Sequence, residues 1–103
     1  MPIKIEWLLK EREVAVGKPV RLRLRLTDAE TGQPKTDLKD VRVLFFLAPG
    51  VWQKRDFARH IGEGMYEVSP TPPEGGAYMA FVEVLSLGVA FRQLPHLTLR
   101  AGQ

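Results

Sequence analysis

The side chains best suited to chemistry are two histidines, His60 and His96, and two methionines, Met65 and Met79. Imidazole nitrogen and thioether sulfur both bind copper, and thioethers favour Cu(I). His60 and Met65 flank a glycine turn, but their spacing matches no metal-binding motif, and a lone histidine in a strand more often lies at the surface or in a hydrogen bond. We therefore predict no metal and no cofactor. The alternative function is a periplasmic copper-handling module whose ligands are His60, Met65 and Met79.

Residue patterns that support catalysis do not occur in the chain. No serine, histidine and carboxylate follow a nucleophile-elbow pattern, no glycine-rich loop precedes a helix, and no motif places an acidic pair for acid-base work. We predict that the protein is not an enzyme.

Arg21, Arg23 and Arg25 form a second group that could bind a ligand, because they alternate with aliphatic residues and would line one side of a strand. Such a row could hold an anion. Glu6 and Glu67 are expected to point outward on the neighbouring strands, which favours cross-strand ion pairs instead. We predict a solvated face of paired charges.

Composition limits the classes of protein that the chain can represent. With 103 residues, 45% of them hydrophobic and 26% charged, residues 1–103 should form one folded domain. The apolar runs are far shorter than the roughly 20 residues that a membrane helix needs, so we expect no membrane insertion. The net charge of +3 would suit nucleic acid, but basic residues are interleaved with acidic ones, and we predict no nucleic-acid partner.

The sequence contains few signals for the cellular compartment of the protein. The chain has no cysteine, so disulfides cannot indicate it. The first residues show no charged-then-apolar signal segment, which suits either a cytoplasmic protein or a domain of a longer exported protein. Asparagine is also absent while Arg, Glu, Pro and Leu are frequent, a pattern typical of heat-adapted proteins, and we expect a thermophilic source.

The elements that position these residues are β-strands. Residues 20–26 alternate strictly between aliphatic and arginine side chains, and a helix would scatter these arginines around its circumference. Further strands are expected at 3–7, 13–16, 41–47 (strand C), 51–61 (strand D), 65–68, 78–86 (strand F) and 89–100 (strand G). Strand D is either continuous or broken near Asp56. Strand G contains Pro95, which should lie at a bulge or on an edge.

Turn signals every 8–12 residues or so, without helical periodicity, favour an all-β, immunoglobulin-like two-sheet antiparallel sandwich of seven or eight strands. The proline- and glycine-rich loop before Tyr78 predicts a tyrosine corner, in which the hydroxyl bonds back to the loop backbone. The predicted core consists of Leu22, Leu24, Val43, Phe45, Tyr78, Ala80 and Val82.

The turn and corner segments carry a resemblance. Val-x-Val-Gly-Lys-Pro-Val, Leu-Thr-Asp-Ala-Glu-Thr-Gly-Gln-Pro, Gly-Glu-Gly-Met-Tyr-Glu-Val and Pro-Glu-Gly-Gly-Ala-Tyr resemble bacterial YtkA-like and FixH-like immunoglobulin-like modules. They also resemble the small modules that follow YncE-like or haem-nitrite-reductase-type β-propellers. The resemblance implies a non-catalytic accessory domain of an exported protein, periplasmic or extracellular, with a neighbouring β-propeller as partner. A cytoplasmic location is not excluded.

An apolar patch is expected on the outer face of the C–F–G sheet. Because C and F are adjacent in such sandwiches, their outward residues should form one surface for docking a protein partner or for a homodimer. Trp52, beside a turn, either caps the sandwich or projects as a binding anchor. The alternative is that the loops at 28–40 or 51–61 cover this face. The predicted partner-binding residues are Leu44, Phe46, Trp52, Met79, Phe81 and Leu85.

Overall fold

Two antiparallel β-sheets packed face to face form the domain, and the fold class predicted from the sequence is confirmed. The computed structural model describes residues 3–102, and nine strands lie within that range. One sheet has the order β1-β3-β7-β6 and the other the order β2-β9-β8-β4-β5. All pairs are antiparallel except β2–β9. The strands are β1 (Ile3–Trp7), β2 (Glu13–Ala15), β3 (Leu22–Asp28), β4 (Val41–Leu47), β5 (Trp52–Phe57), β6 (Arg59–Gly62), β7 (Met65–Val68), β8 (Gly76–Val84) and β9 (Leu97–Gly102).

The core lies between the sheets and is built from alternate residues of the central strands. Every second residue of β3, β4 and β9 is buried, as the period of two requires. All seven predicted core residues are buried. Phe45 stacks on Tyr78 with ring centroids 4.9 Å apart, and both rings belong to the inner face of the five-stranded sheet.

The predicted tyrosine corner is present at the start of β8. The Tyr78 hydroxyl donates a hydrogen bond to the backbone oxygen of Glu74 at 2.6 Å and accepts one from the Glu74 amide at 3.3 Å. Tyr66 on β7 forms a second anchor of the same kind. Its hydroxyl donates to the Lys35 backbone oxygen at 2.7 Å and accepts from the Leu38 amide at 3.2 Å. Burial raises the pKa of Tyr66.

Segment 51–61, predicted as strand D with a break near Asp56 left open, is interrupted at Ala58. It forms two strands in different sheets: β5 pairs with β4, and β6 pairs with β7. The chain crosses between the sheets at Ala58, which is buried and whose amide donates to the Val41 backbone oxygen at 2.7 Å. A small residue suits this crossing, because a larger side chain at Ala58 would have to be packed into the space between the two sheets.

The last strand is shorter than predicted. Strand G was expected to span 89–100 with Pro95 inside it, but β9 begins at Leu97, after the proline. Two 3₁₀ turns, Leu85–Leu87 and Phe91–Gln93, lie between β8 and β9. Pro95 has no amide hydrogen to give to a strand partner, so the strand starts beyond it. Its carbonyl instead accepts a hydrogen bond from the Trp7 indole at 2.9 Å.

Candidate interaction surface

Four apolar side chains lie together on the outer face of the five-stranded sheet. Leu44 of β4 is directly opposite Phe81 of β8, and Phe46 is opposite Met79. All four side chains point away from the core, and each of them is partly buried. The Phe46 and Phe81 ring centroids are 5.9 Å apart. We call these four residues the outer-face cluster.

One side of the outer-face cluster is bordered by the segment that precedes β9. The Phe91 ring meets the Phe81 ring edge to face at 6.5 Å, and the His96 ring lies 5.2 Å from it. Sequence reasoning did not assign either residue to this surface: it considered His96 only as a metal ligand, and it placed both residues in strand G. Gly88 and Pro95 were the available signals, since together they interrupt any strand between them.

The loops at 28–40 and 51–61, which were the alternative cover for this face, lie elsewhere. In loop 29–40, the Lys35 amide donates to the Leu26 backbone oxygen at 2.9 Å, and Leu38 bonds to Tyr66, which places the loop against β3 and β7. Segment 51–61 forms β5 and β6. Residues 91–96 therefore border the cluster, and neither the loop at 28–40 nor the segment at 51–61 covers it.

Trp52 and Leu85, the two other predicted partner-binding residues, lie outside the cluster. The Trp52 ring contacts Phe45 and Tyr78 edge to face, at 6.0 and 6.1 Å, so it faces the core and caps it. Leu85 is in the 3₁₀ turn after β8, and it is 51% exposed.

The charged residues around the outer-face cluster differ in whether a carboxylate lies close to them. Arg42 Nε donates to the nearly buried Glu83 carboxylate at 2.6 Å, and these two side chains compensate each other. The Arg55 guanidinium, on the strand beside Leu44, lies 6.0 Å from the centre of the Phe91 ring. Arg92 follows Phe91 and is exposed. Within residues 3–102, no carboxylate lies within 4.0 Å of the Arg55 or Arg92 guanidinium.

The other sheet presents a different outer face, on which the predicted pairing of the arginine row is confirmed. Glu67 Oε2 accepts a hydrogen bond from Arg23 Nε at 2.8 Å and lies 3.5 Å from Arg21 Nε, and Arg59 is 3.4 Å from Glu67 Oε1. Arg25 is 3.7 Å from Glu6. The hydrogen bond from Arg23, with the charges of all three neighbouring arginines, holds the pKa of Glu67 below its usual range.

Comparison with known proteins supports the fold and carries no family assignment. No protein-family model and no curated protein sequence matches the chain. Among solved structures, the crystal structure of the Lin-41 filamin domain is similar, with a TM-score of 0.67 over 95% of this chain and 91% of that one. The two sequences are 14% identical. The chain has an immunoglobulin-like fold.

The two methionines among the three candidate copper ligands lie on different sheets of this immunoglobulin-like sandwich. Met65 points outward from the four-stranded sheet and Met79 outward from the five-stranded sheet, so the two sulfur atoms lie on opposite outer faces. His60 stacks on Tyr66 at 5.0 Å, and its Nδ1 is 3.4 Å from Asp37. In the described part of the chain, no group of three or more His, Cys, Asp or Glu side chains is arranged to hold a metal ion.

A cleft of about 460 Å³ lies where the chain passes from β1 to β2. Leu8, Leu9 and Val14 form part of its apolar wall, and Lys10 and Lys18 lie at its border. It is open to solvent and remote in the fold from the outer-face cluster. Across residues 3–102, no helix is long and apolar enough to span a membrane.

Proposed function

We propose that this domain is a non-catalytic protein-interaction module that docks through the outer face of its five-stranded sheet. The observation that carries the proposal is the outer-face cluster, in which two cross-strand pairs place four apolar side chains side by side on a surface that points away from the core. Exposed apolar patches of roughly several hundred Å² on a single domain usually mark contact sites.

The contrast between the two outer faces supports this choice of surface. The four-stranded sheet presents an arginine row paired with Glu6 and Glu67, which is the ordinary solvated surface of a sheet. The five-stranded sheet presents leucine, methionine and phenylalanine at equivalent outward positions. Because all four side chains are already partly buried, covering one of them contributes less than the roughly 1.5–3 kcal/mol gained when a fully exposed side chain is buried. A partner that covers all four adds these contributions, before the costs of association.

The test uses a phage-displayed library of random peptides of about 12 residues, long enough to cross the sheet in an extended form. Peptides are selected on the wild-type protein, and their affinities are then measured for Phe81→Glu and for a control, Met65→Glu. Met65 is a partly buried apolar residue on the outer face of the other sheet. We expect Phe81→Glu to weaken binding at least about tenfold, because a buried aromatic contact is lost, and Met65→Glu to leave it unchanged.

Stability measurements on the same variants show whether a loss of binding comes from unfolding. Circular dichroism and thermal unfolding should show that Phe81→Glu retains the sandwich with a midpoint close to that of the wild type. If Phe81→Glu does not fold, Leu44→Glu replaces it. Peptides that bind both glutamate variants of the cluster as tightly as they bind the wild type would contradict the proposal. A large loss of stability in Phe81→Glu with no change in association would contradict it as well.

The resemblance to bacterial accessory modules extends the proposal to cellular context. We infer that the domain serves an exported protein and that a β-propeller is the neighbouring domain. The four turn and corner segments support this inference. Sequencing the gene and its neighbours tests it: a preceding propeller-coding region agrees with the proposal, and a cytoplasmic operon of unrelated enzymes contradicts it.

A further inference from the structure

We propose that the partner of the outer-face cluster is an acidic protein segment that carries apolar side chains. This inference rests on the proposed function and adds the chemistry of the partner. Leucine or aromatic side chains of the partner cover Leu44, Phe46, Met79 and Phe81, and its carboxylates pair with Arg55 and Arg92.

The balance of charge at the border of the cluster carries the inference. Arg42, which lies across from Glu83 on this face, is bound to that carboxylate. Arg55 and Arg92 have no carboxylate of residues 3–102 within 4.0 Å. Arg55, beside the cluster, and Arg92, next to Phe91 in sequence, therefore carry positive charges that the described residues do not compensate.

The positive charge of Arg55 lies next to the apolar surface. It is directly opposite Leu44 in the β4–β5 register, and its guanidinium reaches the Phe91 ring, which in turn meets Phe81. A carboxylate that pairs with Arg55 would therefore lie within one residue of the apolar contacts. Arg92, next to Phe91 in sequence, is a second exposed cation. The arrangement matches a short segment in which acidic and apolar residues alternate closely.

A second copy of the chain fits this surface poorly. In a two-fold symmetric dimer the same patch faces itself, so Arg55 and Arg92 of both copies would share one interface without added carboxylates. Like charges brought together at an interface oppose association. Nucleic acid fits poorly too, because its affinity comes mainly from contacts with several phosphates, and this surface combines Arg55 and Arg92 with a cluster of apolar side chains. An acidic protein segment satisfies both the charges and the apolar area.

The experiment continues from the selected phage peptides and examines their composition and their dependence on charge. We expect enrichment of Asp and Glu beside Leu, Phe, Tyr or Trp. The double substitution Arg55→Gln with Arg92→Gln should weaken these peptides about three- to tenfold and reduce the salt dependence of their affinity. The control is Lys4→Gln with Arg21→Gln, which removes the same number of charges from the outer face of the other sheet, and it should leave the affinity within about twofold.

The outcomes separate this inference from the proposed function. Peptides that depend on Phe81 but show no acidic enrichment, or that tolerate the loss of Arg55 and Arg92, would overturn the acidic partner and leave the docking face standing. Peptides that do not depend on Phe81 would overturn the docking face itself. A wild-type homodimer that Phe81→Glu dissociates, detected by sedimentation velocity, would also overturn the acidic partner. So would Phe81-dependent binding of a DNA duplex or of phosphatidylserine vesicles.

Discussion

Two buried tyrosines each fasten a loop through the hydroxyl group, but only one of these anchors could be predicted. Tyr78 bonds to Glu74, four residues earlier, so a local proline- and glycine-rich pattern indicated it. Tyr66 bonds to Lys35 and Leu38, about 30 residues earlier in the chain. A contact across that distance leaves no local pattern, because it depends on which loop the fold brings to β7.

Gly64 shows how closely loop 29–40 packs against the turn before β7. A Cβ atom at this position would lie 2.8 Å from both the Leu26 backbone oxygen and the Pro34 Cβ. Gly32 has the same φ of +77° but has open space around it. The two glycines thus differ in packing and share the backbone requirement for a positive φ.

We expect Gly32→Ala to lower the free energy of unfolding by about 1 kcal/mol, the approximate cost of a left-handed conformation for a residue with a Cβ. Gly64→Ala should cost about 1–3 kcal/mol more, because the added methyl group clashes with backbone and proline atoms. Urea unfolding of both variants measures the difference. Equal losses would show that Gly64 is required for its φ angle alone.

Among the elements, strands with strict alternation were predictable, while segments 51–61 and 89–100 were not. The strand containing Val43 and Phe45 was predicted with the bounds that it has, because its alternate residues are buried along its whole length. Segment 51–61 alternates too weakly to reveal that β5 and β6 pair with different sheets. A strand's hydrophobic pattern reports which face is buried, and it does not report which neighbour supplies the hydrogen bonds.

The same limit applied to the candidate site. Leu44, Phe46, Met79 and Phe81 could be placed together from the sequence, since β4 and β8 are regular and adjacent. The residues that border them, Phe91 and His96, lie in an irregular segment whose path depends on packing against Phe81.

The arginine row on the four-stranded sheet makes stability depend on the ionisation of Glu67. Its arginine neighbours hold the pKa of Glu67 in the folded protein below the ordinary value of 4.5. Ionised Glu67 therefore stabilises the fold at pH values above the unfolded-state pKa, and this contribution is lost as the pH falls through the folded-state pKa. The contribution should be small, because the arginines are largely exposed.

We expect Glu67→Gln to be less stable than the wild type near neutral pH, with the difference shrinking as the pH falls below 4.5. Urea unfolding of the two proteins across a pH series measures this difference. A gap that stays constant down to strongly acidic pH would show that Glu67 contributes through packing or neutral hydrogen bonding instead of through its charge.

At the scale of the whole molecule, the two sheets divide the surface by chemistry. One outer face carries arginines that glutamates neutralise, while the other carries an apolar cluster bordered by arginines without such partners. A sandwich needs only its inner faces for folding, so the composition of the outer faces is free to serve association. The central claim is that the face formed by β4 and β8 is the surface on which the partner binds.

The most direct test is a titration of the ¹⁵N-labelled wild-type protein with the tightest selected peptide, followed through the backbone amide resonances. We expect the largest chemical-shift changes along β4 and β8 at Leu44, Phe46, Met79 and Phe81, extending to Phe91. The resonances of β1 and β6 should stay unchanged. Shifts concentrated on the four-stranded sheet, or in the cleft between β1 and β2, with the outer-face cluster unaffected, would contradict the account.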